Sequence, residues 1–112
     1  MDHDGQLQIV VEPSAAGILV HVTGPLDAAS TAVLEHELIA VLREAPGDVT
    51  IDLADVTFVG ACGVDALDRS RELLATSGRS MNIRHPSIAV VRALRILGAA
   101  GVTDLAEHVT TP

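Results

Sequence analysis

The stretch VTIDLADVTFVGACGV, residues 49–64, decides the fold of this chain. In its first part apolar and polar residues alternate, a pattern typical of a strand with one buried face. The apolar positions are Val49, Ile51 and Leu53. Residues 54–59 are predicted to return to the end of the sheet and to lead into a loop at 60–63, after which a helix begins at Val64. A strand that leads into a helix is the repeating unit of α/β proteins, so this stretch indicates that class.

Two short strands are predicted upstream of this stretch. Residues 6–12 and 18–23 are rich in β-branched residues and are separated by Pro13-Ser14 and Gly17, which favour a turn. Gly24-Pro25 is expected to close the second strand. Two runs around such a turn predict an antiparallel hairpin, so the sheet is expected to be partly antiparallel.

Three helices are predicted from apolar residues at helical spacing. The first is capped by Asp27, the second begins at Val64, and the third follows Pro86-Ser87 and stops at Gly98 and Gly101. The residues predicted to face the core are Leu34, Leu38, Val41, Leu42 and Ala45 in the first helix, Leu67, Ser70, Leu73 and Leu74 in the second, and Val90, Val91, Leu94 and Leu97 in the third.

The order of elements predicts the architecture. A fourth strand at Met81 and Ile83 lies between the second and third helices, and Val102 and Leu105 are expected to form a last short strand. Strands that alternate with helices of this length predict an α/β fold with a mixed, mostly parallel sheet of four to five strands and helices packed on it. Residues 1–112 are expected to be one domain, with a core from about 6 to 106.

The composition excludes several classes of function. The chain is 48% apolar, but Phe58 is its one aromatic residue, and its net charge is −8. An acidic protein with a single aromatic side chain is not expected to bind DNA or RNA or an anionic membrane. No apolar run approaches the roughly 20 residues of a membrane helix, and the N-terminus is acidic where a signal peptide is basic. We therefore expect a cytoplasmic protein that binds neither nucleic acid nor membrane.

Catalytic and metal-binding patterns are absent from the sequence. All seven basic residues are Arg, which excludes Schiff-base chemistry and a P-loop lysine. The five His residues are scattered, and one Cys cannot complete a zinc quartet. The chain has Gly60-Ala61-Cys62-Gly63 where a serine elbow would read Gly-x-Ser-x-Gly. We predict that the protein is not an enzyme and needs no metal and no cofactor.

The segment Gly60, Ala61, Cys62 and Gly63 nevertheless has two interpretations. It lies at the carboxyl end of a strand and the start of a helix, where sites form in open α/β sheets. The helix start favours a negative charge, such as a bound anion, a phosphate or a thiolate. The alternative is that small residues only allow the chain to turn and pack there.

Three segments resemble the STAS domain family, which includes bacterial anti-sigma factor antagonists. Residues 49–64 resemble the family's strand followed by Asp-Leu-Ser-x-Val-x-Phe-Ile-Asp-Ser-Ser-Gly-Leu. Gly24-Pro25-Leu26-Asp27 resembles its Gly-Glu-Leu-Asp before the first helix, and residues 86–98 resemble its last helix. The match covers essentially the whole chain in the right order. The resemblance implies a regulatory protein that binds a kinase-type anti-sigma factor and so frees a sigma factor.

The chain departs from the family at the phosphoacceptor. In the family the anti-sigma factor phosphorylates the Ser before the conserved Gly and thereby releases the antagonist. Here Gly60 replaces the family's Asp, Ala61 the first Ser, and Cys62 the phosphoacceptor, and the nearest hydroxyl, on Thr57, belongs to the strand. We therefore expect that control by serine phosphorylation is lost.

The resemblance also implies a surface for the partner. It consists of Asp27, of Gly60, Ala61, Cys62 and Gly63, and of an exposed helix face at Asp65, Asp68 and Arg69. Cys62 is either a small structural substitute for Ser or a redox-sensitive thiol, and an oxidised thiol could also link two copies as a homodimer. The alternative function is a stand-alone STAS sensor or scaffold that binds a small ligand or responds to oxidation at Cys62.

Overall fold

The predicted strands and helices occur in the predicted order. A computed structural model of the protein describes residues 6–15, 17–96 and 109–110. The elements are β1 (Gln8–Pro13), β2 (Gly17–Leu26), α1 (Ala28–Glu44), β3 (Asp48–Val59), α2 (Ala61–Ala75), β4 (Met81–Arg84), α3 (Ile88–Ile96) and β5 (Val109–Thr110). The α/β class predicted from the alternation of strands and helices is confirmed.

The strands form one mixed sheet in the order β1-β2-β3-β4-β5. β1 and β2 pair antiparallel, with Val11 opposite Val20, as the predicted hairpin requires. The pairs β2–β3, β3–β4 and β4–β5 are parallel. The sheet is therefore mostly parallel, as predicted, and the twelve-residue β3 is its central strand.

The core lies between one face of the sheet and the helices. The residues that point to this face in β2, β3 and β4 include Val20, Ile51 and Ile83, which are fully buried. All three helices contribute to the same cluster, through Leu34, Leu38, Leu67, Leu74 and Val90. The opposite face carries the alternate residues, such as Thr50 and Asp52, which are half-buried. The period-two alternation read from the sequence therefore reflects a sheet that packs its three described helices against one face.

β2 and β3 are longer than predicted. β2 continues through Gly24-Pro25 to Leu26, with an irregularity in its register to β3 at that point. Gly24 has φ 108°, and a Cβ there would lie 2.6 Å from the carbonyl oxygen of Gln6. A glycine without a side chain thus lets the strand bend where a turn was expected. Residues 54–59, predicted to return to the end of the sheet, belong to the same continuous strand as Val49.

One further prediction differs from the structure, and two others fall outside the described residues. Leu73 was expected to face the core, but it is 47% exposed. The last described strand is β5, at Val109–Thr110. Val102 and Leu105, which are predicted to form a last short strand, lie outside the described residues. The predicted end of the third helix, at Leu97, Gly98 and Gly101, also lies outside them.

Arg79 joins the end of α1 to the segment before β4. Its Nη1 donates to the carbonyl oxygen of Leu42 at 3.1 Å, its Nη2 to that of Ala45 at 2.7 Å, and its Nε to that of Gly47 at 2.7 Å. The last carbonyls of a helix have no partner within the helix, so the guanidinium satisfies groups that would otherwise need water. One side chain thus fixes the C-terminal end of α1 and the entry to β3 against the segment before β4.

Replacing Arg79 by Met is expected to lower the free energy of unfolding by about 2–3 kcal/mol, because three hydrogen bonds from a charged donor are lost. Urea denaturation of the two proteins measures the difference. Arg92→Met is the matched control, since Arg92 is an exposed helical residue, and its effect should stay within about 0.5 kcal/mol. Equal effects of the two substitutions would contradict the role of Arg79.

Candidate functional site

Two helices begin side by side at the same edge of the sheet. β2 and β3 are parallel, and their last residues, Leu26 and Val59, are partners in the register. The backbone N–H of Gly60 donates to the carbonyl oxygen of Leu26 at 3.0 Å, which ties the two strand ends together. Each strand is followed at once by a helix, so the N-caps Asp27 and Gly60 are neighbours. This edge is where the sequence predicted the site.

Asp27 caps α1 in a reciprocal arrangement with Ser30. Its Oδ1 accepts from the Ser30 backbone N–H at 3.0 Å and from the Ser30 hydroxyl at 2.9 Å, and the Asp27 N–H donates to the same hydroxyl at 2.9 Å. The backbone hydrogen bond first, and then the hydroxyl, hold the pKa of the exposed Asp27 carboxyl below its ordinary value. Asp27 therefore presents a fixed negative charge at this edge. The predicted cap is confirmed.

The segment 60–63 is the first turn of α2 and not a loop. Gly60 is the N-cap, and its carbonyl oxygen accepts from the backbone N–H groups of Gly63 at 3.0 Å and Val64 at 3.2 Å. The prediction that the helix begins at Val64 is wrong by three residues, because the large apolar side chains of the helix start only there. No side chain caps this helix start. Unlike α1, it therefore leaves backbone donors for an acceptor from elsewhere.

Gly63 lets α2 approach the end of β2 very closely. A Cβ at this position would lie 3.0 Å from both the Cβ and the carbonyl oxygen of Leu26 and 3.1 Å from Cγ1 of Val59. At Gly60 the nearest atom would be 3.5 Å away, on Phe58, which is an ordinary contact. Gly63 is buried and sets the position of the helix, whereas Gly60 is half-buried at the surface.

Cys62 lies between the two helices and is half-buried. The hydroxyl of Thr31, in the first turn of α1, donates to Sγ of Cys62 at 3.9 Å, a long contact, and Thr31 is buried. Ala61, one residue earlier, is exposed. The thiol therefore borders the surface with one side against α1. Thr31 was not singled out from the sequence, although it shares a helix face with the buried Leu34 and Leu38.

The charged residues further along α2 differ in exposure. Asp65 and Arg69 are exposed, as predicted. Arg69 donates to Oε2 of Glu35 on α1, through Nη2 at 2.7 Å and Nε at 3.1 Å. This hydrogen bond and the charge of Glu35 raise the pKa of Arg69. The Asp68 side chain was placed on the exposed face but is only 17% exposed, because its carboxylate lies 3.3 Å from Nη2 of Arg71.

Two properties of the described residues bear on the kind of site. Within residues 6–15, 17–96 and 109–110, no group of three His, Cys, Asp or Glu side chains could hold a metal ion. In that part of the chain no helix has the length and hydropathy needed to span a membrane. The arrangement at the edge of the sheet consists of exposed charges and backbone donors around a helix start of small residues.

Solved structures with the same fold include two anti-sigma factor antagonists. An anti-sigma factor antagonist from Mycobacterium paratuberculosis is 21% identical, with a TM-score of 0.75, over 95% of this chain and 99% of that one. The antagonist SpoIIAA in its unphosphorylated form is 18% identical, with a TM-score of 0.70, over 94% of this chain and 88% of that one. At these identities the likeness shows the fold.

A domain of a much larger protein is also similar. The murine anion transporter Solute Carrier 26 family member A9 is 19% identical, with a TM-score of 0.67, over 82% of this chain but only 16% of that one. No curated protein matches the chain by sequence. The family model of the STAS domain matches residues 6–111. Nearly the whole chain is covered, so the resemblance predicted from the sequence is confirmed, and the chain belongs to the STAS domain family.

Proposed function

We propose that this protein is an anti-sigma factor antagonist that binds a kinase-type anti-sigma factor. The observation that supports this proposal is the pairing of two helix starts at one edge of the sheet, where Asp27 lies beside the first turn of α2. The fold is shared with two antagonists over most of their length. The activity is association with a protein partner and involves no catalysis.

The proposed partner surface has contacting and supporting residues. Asp27, Ala61, Asp65 and Arg69 are exposed and contact the partner directly. The half-buried Gly60 and Cys62 form the floor between the two helix starts. Gly63 and Asp68 support the surface from below, because Gly63 is buried and Asp68 is held by Arg71. The Asp27 carboxylate accepts hydrogen bonds from a cationic group of the partner, and the uncapped start of α2 donates to a partner acceptor.

The first turn of α2 offers no hydroxyl for phosphorylation. Position 62 is Cys, and the adjacent hydroxyl of Thr31 is buried. The Ser30 hydroxyl accepts from the Asp27 N–H, and its one proton lies within reach of two acceptors, the carbonyl oxygen of Pro25 at 2.6 Å and Oδ1 of Asp27 at 2.9 Å. Thr57 is exposed, but it lies within β3. Binding is therefore governed by the amounts of the two proteins, with no ATP-dependent release.

A second candidate function is a STAS sensor or scaffold that binds a small ligand or responds to oxidation. Two observations favour it: the fold also occurs within an anion transporter, and the thiol of Cys62 is half-buried at the surface. A thermal-shift screen with metabolites, set against a pull-down with candidate anti-sigma factors, separates the two functions. Stabilisation by a metabolite with no anti-sigma factor recovered would favour the sensor.

The protein is expected to stay unlabelled when it is incubated with a cognate kinase-type anti-sigma factor and radiolabelled ATP, because no accessible hydroxyl remains at the start of α2. Cys62→Ser, which replaces only the sulfur by oxygen, is expected to acquire label at that position. Autoradiography and mass spectrometry locate the phosphate. Label on Thr57 or on any residue of the first turn of α2 in the wild-type protein would overturn the proposal that control by phosphorylation is lost.

Replacing Cys62 by Asp is expected to weaken binding to the anti-sigma factor about 100-fold, since an unpaired anion at an interface costs a few kcal/mol. Cys62→Asn has the same shape without the charge and should bind much more tightly than Cys62→Asp. Isothermal titration calorimetry measures the affinities, and circular dichroism checks that each variant is folded. Equal affinities of the Asp and Asn variants would place position 62 outside the interface.

Asp27 is tested separately, because it has a structural role as well. Asp27→Asn keeps a good N-cap and removes the charge, so α1 should remain stable while binding falls by roughly tenfold. Asp27→Ala is expected to lose both the cap and the charge. If Asp27→Asn binds as well as the wild-type protein, the carboxylate serves α1 alone.

A further inference from the structure

A groove with an apolar floor runs between α1 and α2, away from the helix starts. Its volume is about 390 Å³, and it is lined by Glu35, Ile39, Arg69, Ser70, Glu72, Leu73 and Thr76. Ile39 is 42% exposed and Leu73 is 47% exposed. Aliphatic side chains at the centre and charges at the rim are the arrangement found in protein interfaces.

The two helices lie side by side and run in the same direction. Both begin at the same edge of the sheet, and Arg69 of α2 binds Glu35 of α1 at 2.7 Å. Ile39 and Leu73 each lie four residues beyond a member of this ion pair, so they are next to each other one helical turn further on. Leu73 is therefore exposed because it lines the open groove beside Ile39.

The exposed face of α1 carries a pattern that is complementary to itself. Glu35, Ile39 and Arg43 are spaced by four residues and therefore lie along one face of the helix in the order negative, apolar, positive. When a second helix with this pattern is laid antiparallel, Ile39 meets Ile39 and each Arg43 meets a Glu35. The complementarity is lost when the second helix is parallel, because like charges then face each other.

The charged groups needed for such a contact are available. Arg43 is exposed, and no ion pair of Arg43 occurs within the described part of the chain. Arg69 binds Oε2 of Glu35, and no hydrogen bond to Oε1 occurs among the described residues, so that oxygen can accept from a second guanidinium. The Glu35 side chain is 32% exposed.

We propose that a second copy of this chain docks in this groove, with its α1 antiparallel to the first. The two-fold axis passes at the level of Ile39 and Leu73, so the same patch is used by both copies. Arg43 of each copy then binds Glu35 of the other copy, and that Glu35 keeps its ion pair with Arg69 of its own chain. The Ile39 and Leu73 side chains of the two copies pack against one another. Because the apolar area is small, the dimer dissociates on dilution.

Analytical ultracentrifugation of the purified protein, across a concentration series at physiological ionic strength, tests the proposal without any partner. The wild-type protein is expected to shift from monomer to dimer as its concentration rises. Ile39→Glu and Leu73→Glu are expected to abolish the dimer, and Arg43→Glu to raise its dissociation constant at least about tenfold, since like charges then meet. A wild-type protein that stays monomeric throughout the series would overturn the proposal.

Matched controls separate the groove from a general effect of added charge. Ile88→Glu and Arg92→Glu make the same changes at exposed positions of α3, and both variants are expected to dimerise like the wild-type protein. Circular dichroism verifies that every variant is folded. A dimer that persists in folded Ile39→Glu would show that the copies associate elsewhere.

A charge-reversed variant tests the antiparallel orientation. The variant combines Glu35→Arg, Arg43→Glu and Arg69→Glu. It inverts every charge, so residues 35 and 69 still form an ion pair within the chain and residues 43 and 35 still pair between the copies. This triple variant is expected to recover the dimer that Arg43→Glu alone weakens. Failure of the triple variant to dimerise, while it remains folded, would overturn this arrangement of the two copies.

Discussion

The hydrogen bond between the N–H of Gly60 and the carbonyl oxygen of Leu26 fixes the part of the molecule on which the rest depends. It joins the ends of two parallel strands, and each of these strands passes into a helix without an intervening loop. The close approach at Gly63, where a Cβ would be 3.0 Å from Leu26, then holds α2 against the same point. Because both helices start there, they run side by side. The proposed partner surface and the groove between the helices are two consequences of this single geometry.

The two helix starts are chemically unequal, and this difference gives the edge its character. α1 is closed by the reciprocal bonds between Asp27 and Ser30, while α2 has glycine at its cap and no side-chain acceptor. A fixed carboxylate therefore stands beside a turn with open backbone donors. Cys62 lies between them in contact with Thr31 and brings no hydroxyl to the surface. In the proposed complex, the protein partner meets a surface that has no hydroxyl at position 62.

Much of the fold could be predicted from the sequence, because burial on one face imposes a period of two on strands and of about 3.6 on helices. The start of α2 was misplaced because Ala61, Cys62 and Gly63 are too small to carry such a period. The predicted end of β2 came too early, because Gly24-Pro25 is as compatible with a bend within a strand as with a turn that ends it. The bonds of Arg79 to three carbonyl groups depend on residues more than 30 positions away, and nothing local indicates them. In the site, Asp27 was predictable as a cap, whereas the exposure of Leu73 depends on the packing of α1 against α2.

The sheet order also dictates a sequence of events during folding. β1 and β2 are joined by a tight turn in which Ser14 and Gly17 exchange backbone hydrogen bonds of 2.9 and 3.3 Å, so this hairpin can close from neighbouring residues alone. The two strands of every parallel pair are separated by a crossover connection that contains a helix. Their pairing closes a long loop, and the entropy lost in closing it delays the pairing. During synthesis the hairpin can therefore form soon after its own residues have emerged from the ribosome. The central strand, which carries the deepest side chains, joins it only after α1 has been made.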